Sequence, residues 1–134
     1  MGLIKKISIN KDIKKAYTMP TIFYTDEKYF NLSLDNIFTN SWQFINDVNS
    51  LSKASIQPFN FLTDTINEPT ILTNNNKKFS LLSNVCTHRG SILCNNSNNN
   101  SKIQCKYHGR TFSLKGDFLK APGFNGVENF PTKK

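Results

Sequence analysis

The chain has 134 residues with 37% hydrophobic and 12% aromatic content, and its eleven Phe residues favour one folded domain with an arm over a disordered chain. It contains no run of about 18 apolar residues, and its N-terminus lacks the apolar stretch of a secretory signal, so we expect a cytoplasmic protein without membrane contact. The formal charge of +8 lies partly in residues 1–20 and would suit an anionic partner, although such runs are often only a solvated face.

Residues 1–41 are predicted to form an N-terminal arm with short helices. Thr25 is a candidate N-cap that is followed by the acidic residues Asp26 and Glu27. Apolar residues then recur between positions 29 and 38, which indicates one or two short helices.

From residue 42 the pattern changes to short segments with the composition of β-strands. They are residues 42–45, 56–61, 70–73, 79–82 and, later in the chain, 111–114. The asparagines at 74–76 tolerate left-handed backbone conformations and are predicted to turn a hairpin between the third and fourth segments. We therefore expect a mainly β domain over residues 42–134, built on an antiparallel sheet.

Residues 95–101 are a polar, low-complexity stretch of Asn and Ser without an apolar residue to bury. Such a stretch is predicted to form an exposed loop. It separates two segments that carry candidate metal ligands.

The first segment contributes Cys86 and His88, and the second contributes Cys105 and His108. His88 and His108 are the only two histidines of the chain. In each segment a thiol and an imidazole lie two or three positions apart and a glycine follows the histidine, so the backbone can bend closely around an inorganic centre. The third cysteine, Cys94, is interpreted as a packed thiol, and three cysteines without a secretory signal favour metal ligation over a disulfide framework.

Two kinds of metal centre fit these four residues. A structural zinc takes two Cys and two His, but zinc modules usually pair like residues within one segment. In a Rieske-type [2Fe-2S] cluster one iron takes both thiolates and the other takes both imidazoles, which suits one Cys and one His per segment. Cys86 and Cys105 would then bind one iron, and His88 and His108 the other.

The sequence resembles the N-terminal Rieske domain of the alpha subunit of ring-hydroxylating, Rieske non-haem iron oxygenases. The resemblance covers residues 18–131 and includes the lead-in at 21–30, Ser41-Trp42 and the segments at 84–90 and 107–112. Respiratory Rieske proteins carry a second, disulfide-bonded Cys in each segment, whereas Ser91 and Tyr107 stand here, which favours the oxygenase branch. Arg110 departs from the family, which often has Trp there, and Pro122-Gly123 falls where the family often places a third loop near the cluster.

The resemblance implies electron transfer from a reductase or ferredoxin, through the cluster, to a mononuclear Fe(II), often in a neighbouring subunit of a trimer. That iron requires two His and one carboxylate. Since the cluster would use both histidines, the catalytic iron is expected in a C-terminal domain beyond Lys134, and no catalytic residue is predicted here. A free-standing Rieske ferredoxin is the alternative, although residues 18–42 favour the oxygenase component. A zinc-stabilised binding module is the third hypothesis. Nucleic acid is not the expected partner, because aromatic and basic residues are not interleaved in the sequence.

Overall fold

The computed structural model describes residues 7–128 and residue 130. Lys5 and Lys6 of the basic N-terminal run, and the last residue of the resemblance at 131, lie outside the described residues. The chain divides into two compact units, residues 1–44 and residues 45–134. The predicted division after residue 41 stays a prediction. Within the described residues no helix has the length and apolar character needed to cross a membrane.

The first unit contains the predicted short helices, α1 (Thr21–Thr25) and α2 (Glu27–Asn36), followed by a 3-10 turn at Phe38–Asn40. The N-cap of α2 is Asp26, whose carboxylate accepts a hydrogen bond from the backbone N–H of Lys28 at 2.9 Å. Thr25, the predicted cap, instead ends α1. Tyr29 is the buried residue of α2, and its ring lies 5.9 Å from that of Phe23.

The predicted strand at residues 42–45 is wrong. The segment has no regular structure, and the side chains of Trp42 and Phe44 are exposed. A strand needs a hydrogen-bonded neighbour, and composition alone does not supply one. The chain continues into α3 (Val48–Leu51), which begins at Asp47, whose carboxylate caps the first turn.

The predicted mainly β class is confirmed for the second unit. The first sheet has the order β1 (Ile56–Phe61), β2 (Glu68–Asn75), β3 (Lys78–Ser83), all antiparallel. The predicted hairpin is confirmed, with Asn76 and Lys77 as its two turn residues, both at positive φ (52° and 64°). Pro58 lies in the edge strand β1, where a missing N–H costs no ladder bond.

The second sheet of the described chain follows the predicted exposed loop. It has the order β4 (Ile103–Gln104), β5 (Thr111–Phe112), β6 (Phe118–Lys120). The loop at 95–101 is largely exposed, but it is not free of the sheets, because Asn98 exchanges two backbone hydrogen bonds with Ile56 of β1 (2.9 and 3.0 Å). This pairing attaches the stretch between the two candidate segments to the first sheet.

The core of the second unit is formed by apolar residues of both sheets and includes both candidate thiols. Thr73 of β2 is 1% exposed and donates its hydroxyl hydrogen to the carbonyl oxygen of Leu114, just after β5. The buried cluster consists of Ile56, Ile71, Cys86, Leu93, Ile103, Cys105, Phe112 and Leu114. The candidate sulfur ligands are therefore held by the same packing that holds the strands.

Candidate metal centre

Loop 1, residues 86–91, is a tight turn closed by two backbone hydrogen bonds. The N–H of Cys86 donates to the carbonyl oxygen of Ser91 at 2.8 Å, and the N–H of Gly90 donates to that of Cys86 at 3.0 Å. Gly90 has a φ of 66°, a left-handed conformation that costs glycine little. The bridge between Val85 and Ile92 lies at the base of the loop.

Loop 2, residues 105–110, closes in the same way. The N–H of Cys105 donates to the carbonyl oxygen of Arg110 at 2.8 Å, and the N–H of Gly109 donates to that of Cys105 at 2.9 Å. Gly109 has a φ of 74°. Since the ends of the loop are the paired strands β4 and β5, loop 2 is the tip of a short hairpin.

The two loops bring the four predicted residues together as two pairs of like residues. Cys86 and Cys105 are each 2% exposed, and a hydrogen bond joins their sulfurs. His88 and His108 are both exposed, and their ring centroids are 4.9 Å apart with an interplanar angle of 66°. Each pair takes one member from each loop, so the centre has a buried sulfur end and an exposed imidazole end.

The two thiols differ in acidity. Burial raises the pKa of the Cys86 thiol, and the adjacent Cys105 raises it further. Burial would also raise the pKa of Cys105, but the hydrogen bonds it accepts outweigh this effect and lower its pKa. They come from the backbone N–H groups of Tyr107 and His108, the Cys86 thiol and the Ser91 hydroxyl. These hydrogen bonds therefore stabilise the thiolate form of Cys105, which is the form that binds metal.

The Ser91 hydroxyl has two acceptors within reach. One is the carbonyl oxygen of Ile92 at 3.4 Å, and the other is the sulfur of Cys105. A contact of 3.4 Å is weak, and a charged acceptor binds a hydrogen more strongly than a neutral one. Once Cys105 is ionised, the hydroxyl hydrogen is therefore directed at its sulfur, which links loop 1 to loop 2.

The imidazole of His88 is held neutral by its surroundings. Loss of solvent around the ring lowers its pKa, and the positive charges of His108, Arg89 and Arg110 lower it further. Metal binding requires a neutral imidazole. His88 is thus poised as a ligand at ordinary pH. The ring of His108 lies 3.9 Å from that of Tyr107, which holds it against the loop.

A third segment lies beside this exposed end. Pro122 and Phe124, together with Ala121 and Phe130, line a cavity of about 340 Å³ whose other walls are Thr87, His88, His108 and Arg110. The Pro122 ring also packs against loop 2, because a Cβ added to Gly109 would lie 2.9 Å from its Cγ. The residues at 121–124 therefore cover part of the imidazole end.

Several contributors to this arrangement do not follow from the ligand pattern. Asn84 is 5% exposed, and its side-chain amide binds the backbone of Cys94 in both directions, at 2.7 and 2.9 Å. Thr87 accepts a hydrogen bond from Arg110. The signal that the sequence offers for Asn84 is an asparagine two residues before Cys86. Cys94 is half-buried, burial raises the pKa of its thiol, and it belongs to neither ligand pair.

The donor set fits a centre with two metals of different ligands. Among the described residues, no three His, Cys, Asp or Glu side chains are grouped as they would be around one metal ion. The positive feature is the segregation of two sulfurs from two ring nitrogens. One iron bound by sulfur and one bound by nitrogen is the pattern of a Rieske cluster, whereas tetrahedral zinc needs all four donors around one point.

Comparison with known proteins agrees with this pattern. Residues 41–131 match the family model of the Rieske [2Fe-2S] domain. Choline monooxygenase of Arabidopsis thaliana is 30% identical over 88% of this chain, and the oxygenase subunit of carnitine monooxygenase from Escherichia coli K12 is 31% identical over 90%. The chain spans only 28% and 32% of the lengths of these relatives.

The fold is also found in solved structures. The quaternary ammonium Rieske monooxygenase in complex with L-carnitine superimposes with a TM-score of 0.74 and 28% identity, over 88% of this chain and 33% of that one. The family match covers well over half of the chain. The chain therefore belongs to the Rieske [2Fe-2S] domain family, and its cofactor is a Rieske-type [2Fe-2S] cluster.

Proposed function

We propose that Cys86 and Cys105 bind one iron of the cluster, that His88 and His108 bind the other, and that the chain is the electron-transfer part of a Rieske oxygenase. The observation that carries the ligand assignment is the pairing of like donors across two loops that are closed by the same pattern of backbone hydrogen bonds. The hydrogen-bonded sulfurs lie in the core, and the imidazoles lie together at the surface. When bound, the cluster supplies reversible one-electron transfer.

The residues of this chain then have distinct tasks. The core around Cys86 and Cys105 excludes water from the sulfur end, and the hydrogen bonds to Cys105 stabilise its thiolate form. The exposed edges of His88 and His108 offer a short route by which an electron can enter or leave. Pro122 and Phe124 narrow the access of solvent to that edge without closing it.

We propose that the electron comes from a reductase or ferredoxin and passes to a mononuclear iron in a catalytic domain that this sequence does not include. The chain has two histidines in all, and the cluster would use both. A site of two His and one carboxylate then needs residues from elsewhere. The similarity to choline monooxygenase and to the oxygenase subunit of carnitine monooxygenase supports an oxygenase. The substrate-binding part of such an enzyme would also lie elsewhere, so we propose no substrate.

Anaerobic reconstitution of the full chain tests the ligand assignment. We expect two irons, two sulfides and no zinc per chain, with the EPR signal of a reduced Rieske centre. Cys86→Ser, Cys105→Ser, His88→Ala and His108→Ala should each lose that signal, because each removes one ligand of an iron. Cys94→Ser is the matched control and should keep both the metal content and the signal.

Two results would contradict the proposal. One zinc without sulfide would indicate a structural zinc module. Loss of the Rieske signal in Cys94→Ser, with retention in Cys86→Ser or Cys105→Ser, would show that the sulfur ligands are assigned wrongly.

A further inference from the structure

Arg110 is a buried cation placed between the two loops. It ends loop 2, its side chain is 9% exposed, and its Nη1 donates a hydrogen bond to the Thr87 hydroxyl of loop 1 at 2.9 Å. Its guanidinium carbon lies 5.9, 5.0 and 5.6 Å from the ring centroids of Phe112, Phe118 and Phe130. One hydrogen bond and three aromatic faces thus hold the charge in one place.

The charge of Arg110 is poorly compensated. Its Nε is buried without a hydrogen-bond partner, and within the described part of the chain no carboxylate forms an ion pair with it. A buried unpaired charge destabilises a fold unless something nearby complements it, and aromatic faces do so only in part. The negative charge that a bound cluster gains on reduction would complement the positive charge of Arg110.

The proposed ligands lie within the field of this charge. Thr87, which binds the guanidinium, stands between Cys86 and His88 in the chain, and Arg110 lines the same cavity of about 340 Å³ as His88 and His108. Arg110 is therefore held beside the Cys86–His88 segment and also borders the exposed imidazole end of the centre.

We propose that Arg110 raises the reduction potential of the bound cluster by supplying a fixed, buried positive charge. The inference rests on the ligand assignment above. Uptake of one electron from a one-electron donor protein makes the centre more negative by one charge, with no change at the arginine itself. A cation in a poorly solvated position favours that reduced form, since its field is little screened. Arg110 is a positioning residue and not a ligand, because it acts through Thr87 and through its field.

Film voltammetry of the reconstituted full chain at one pH tests this role. Arg110→Gln should lower the equilibrium constant for one-electron reduction about tenfold, which is a fall of about 59 mV in midpoint potential. Arg110→Lys keeps the charge and should lower it less than about threefold. The matched control is Lys106→Gln, which removes an exposed positive charge from the same loop. Its effect should be smaller and should vanish in about 1 M salt, where the Debye length is about 3 Å, while that of Arg110→Gln persists.

An unchanged potential in Arg110→Gln would overturn the inference. An equal fall in Arg110→Lys and Arg110→Gln would also overturn it, because packing rather than charge would then be responsible.

If Arg110→Gln binds no cluster, the potentials of Thr87→Val and Thr87→Ser test the inference instead. Thr87→Val frees the guanidinium and should lower the equilibrium constant about threefold relative to Thr87→Ser, which keeps the hydroxyl. Equal potentials in those two would overturn the inference. A wild-type chain that binds no iron and sulfide would overturn the ligand assignment as well, whereas a loaded wild type with an unaffected variant overturns this inference alone.

Discussion

Loop 1 and loop 2 have the same backbone closure but different supports. Loop 2 is the tip of a hairpin, and the ladder between β4 and β5 holds its ends. Loop 1 has a single bridge at its base, between Val85 and Ile92, and the buried Asn84 side chain reinforces it by binding the backbone of Cys94. Loop 2 is thus held by a strand ladder, whereas loop 1 is held by one bridge and the Asn84 side chain, and that side-chain support can be removed by one substitution.

The largest effect is expected from removing the side-chain support of loop 1. Asn84→Ala leaves the partly buried N–H and carbonyl groups of Cys94 without their partners, and each unsatisfied group that is shielded from water costs roughly 1–3 kcal/mol. We expect the free energy of unfolding of the apo chain to fall by about 3 kcal/mol in a urea titration. Asn95→Ala, an exposed asparagine in the same segment, is the control and should be nearly neutral. A neutral Asn84→Ala would mean that the bridge alone supports loop 1.

The glycines of the two loops sharpen the comparison further. Gly90 and Gly109 have similar positive φ angles, so alanine at either should cost about 1 kcal/mol for the left-handed backbone. Gly109→Ala also places a Cβ 2.9 Å from Pro122 Cγ, whereas a Cβ on Gly90 meets nothing within 4 Å. We expect a loss of about 2 to 3 kcal/mol for Gly109→Ala and about 1 kcal/mol for Gly90→Ala, measured by urea unfolding. Equal losses would show that Pro122 yields without cost.

The smallest effect on stability is expected from removing the hydrogen bond between the Ser91 hydroxyl of loop 1 and the Cys105 sulfur of loop 2. Ser91→Ala removes a hydrogen bond that stabilises the Cys105 thiolate, so the pKa of Cys105 should rise. Since iron binds thiolates, loading of the cluster should then begin at a higher pH than in the wild type. The pH profile of thiol alkylation in the apo chain measures this shift, and Ser101→Ala, at an exposed serine, is the control. Identical profiles would place the Ser91 hydroxyl hydrogen on Ile92 instead.

Local pattern was sufficient for the parts of the fold that depend on neighbouring residues. The hairpin of β2 and β3 and the strand at residues 56–61 follow from β-type composition and a turn of asparagines. The four candidate ligands were identifiable because their residue types are rare in this chain and each histidine is followed by a glycine within two residues. The assignment of those residues to the irons stays a prediction.

Contacts between residues far apart in the sequence could not be predicted from local pattern. The low-complexity loop was predicted to be exposed, and it is largely exposed, but nothing in its composition indicates that Asn98 pairs with Ile56. The strand predicted at residues 42–45 was wrong for the same reason, because a strand depends on a partner elsewhere in the chain. Arg110 was visible as a departure from the family, whereas its burial against three Phe rings was not.

The hydrogen bond between the Thr73 hydroxyl and the Leu114 carbonyl oxygen bears on the order in which the domain folds. It joins residues 41 positions apart, whereas the β2 and β3 hairpin joins near neighbours. Closing a long loop costs more chain entropy than closing a short one, and contacts of large sequence separation slow folding. The hairpin is therefore expected to form early and the two sheets to pack together late. Because loop 1 follows the first sheet and loop 2 belongs to the second, the two ligand segments meet only at that later step. Iron and sulfide would then be captured by a domain that is already nearly folded, and would act as its last crosslink.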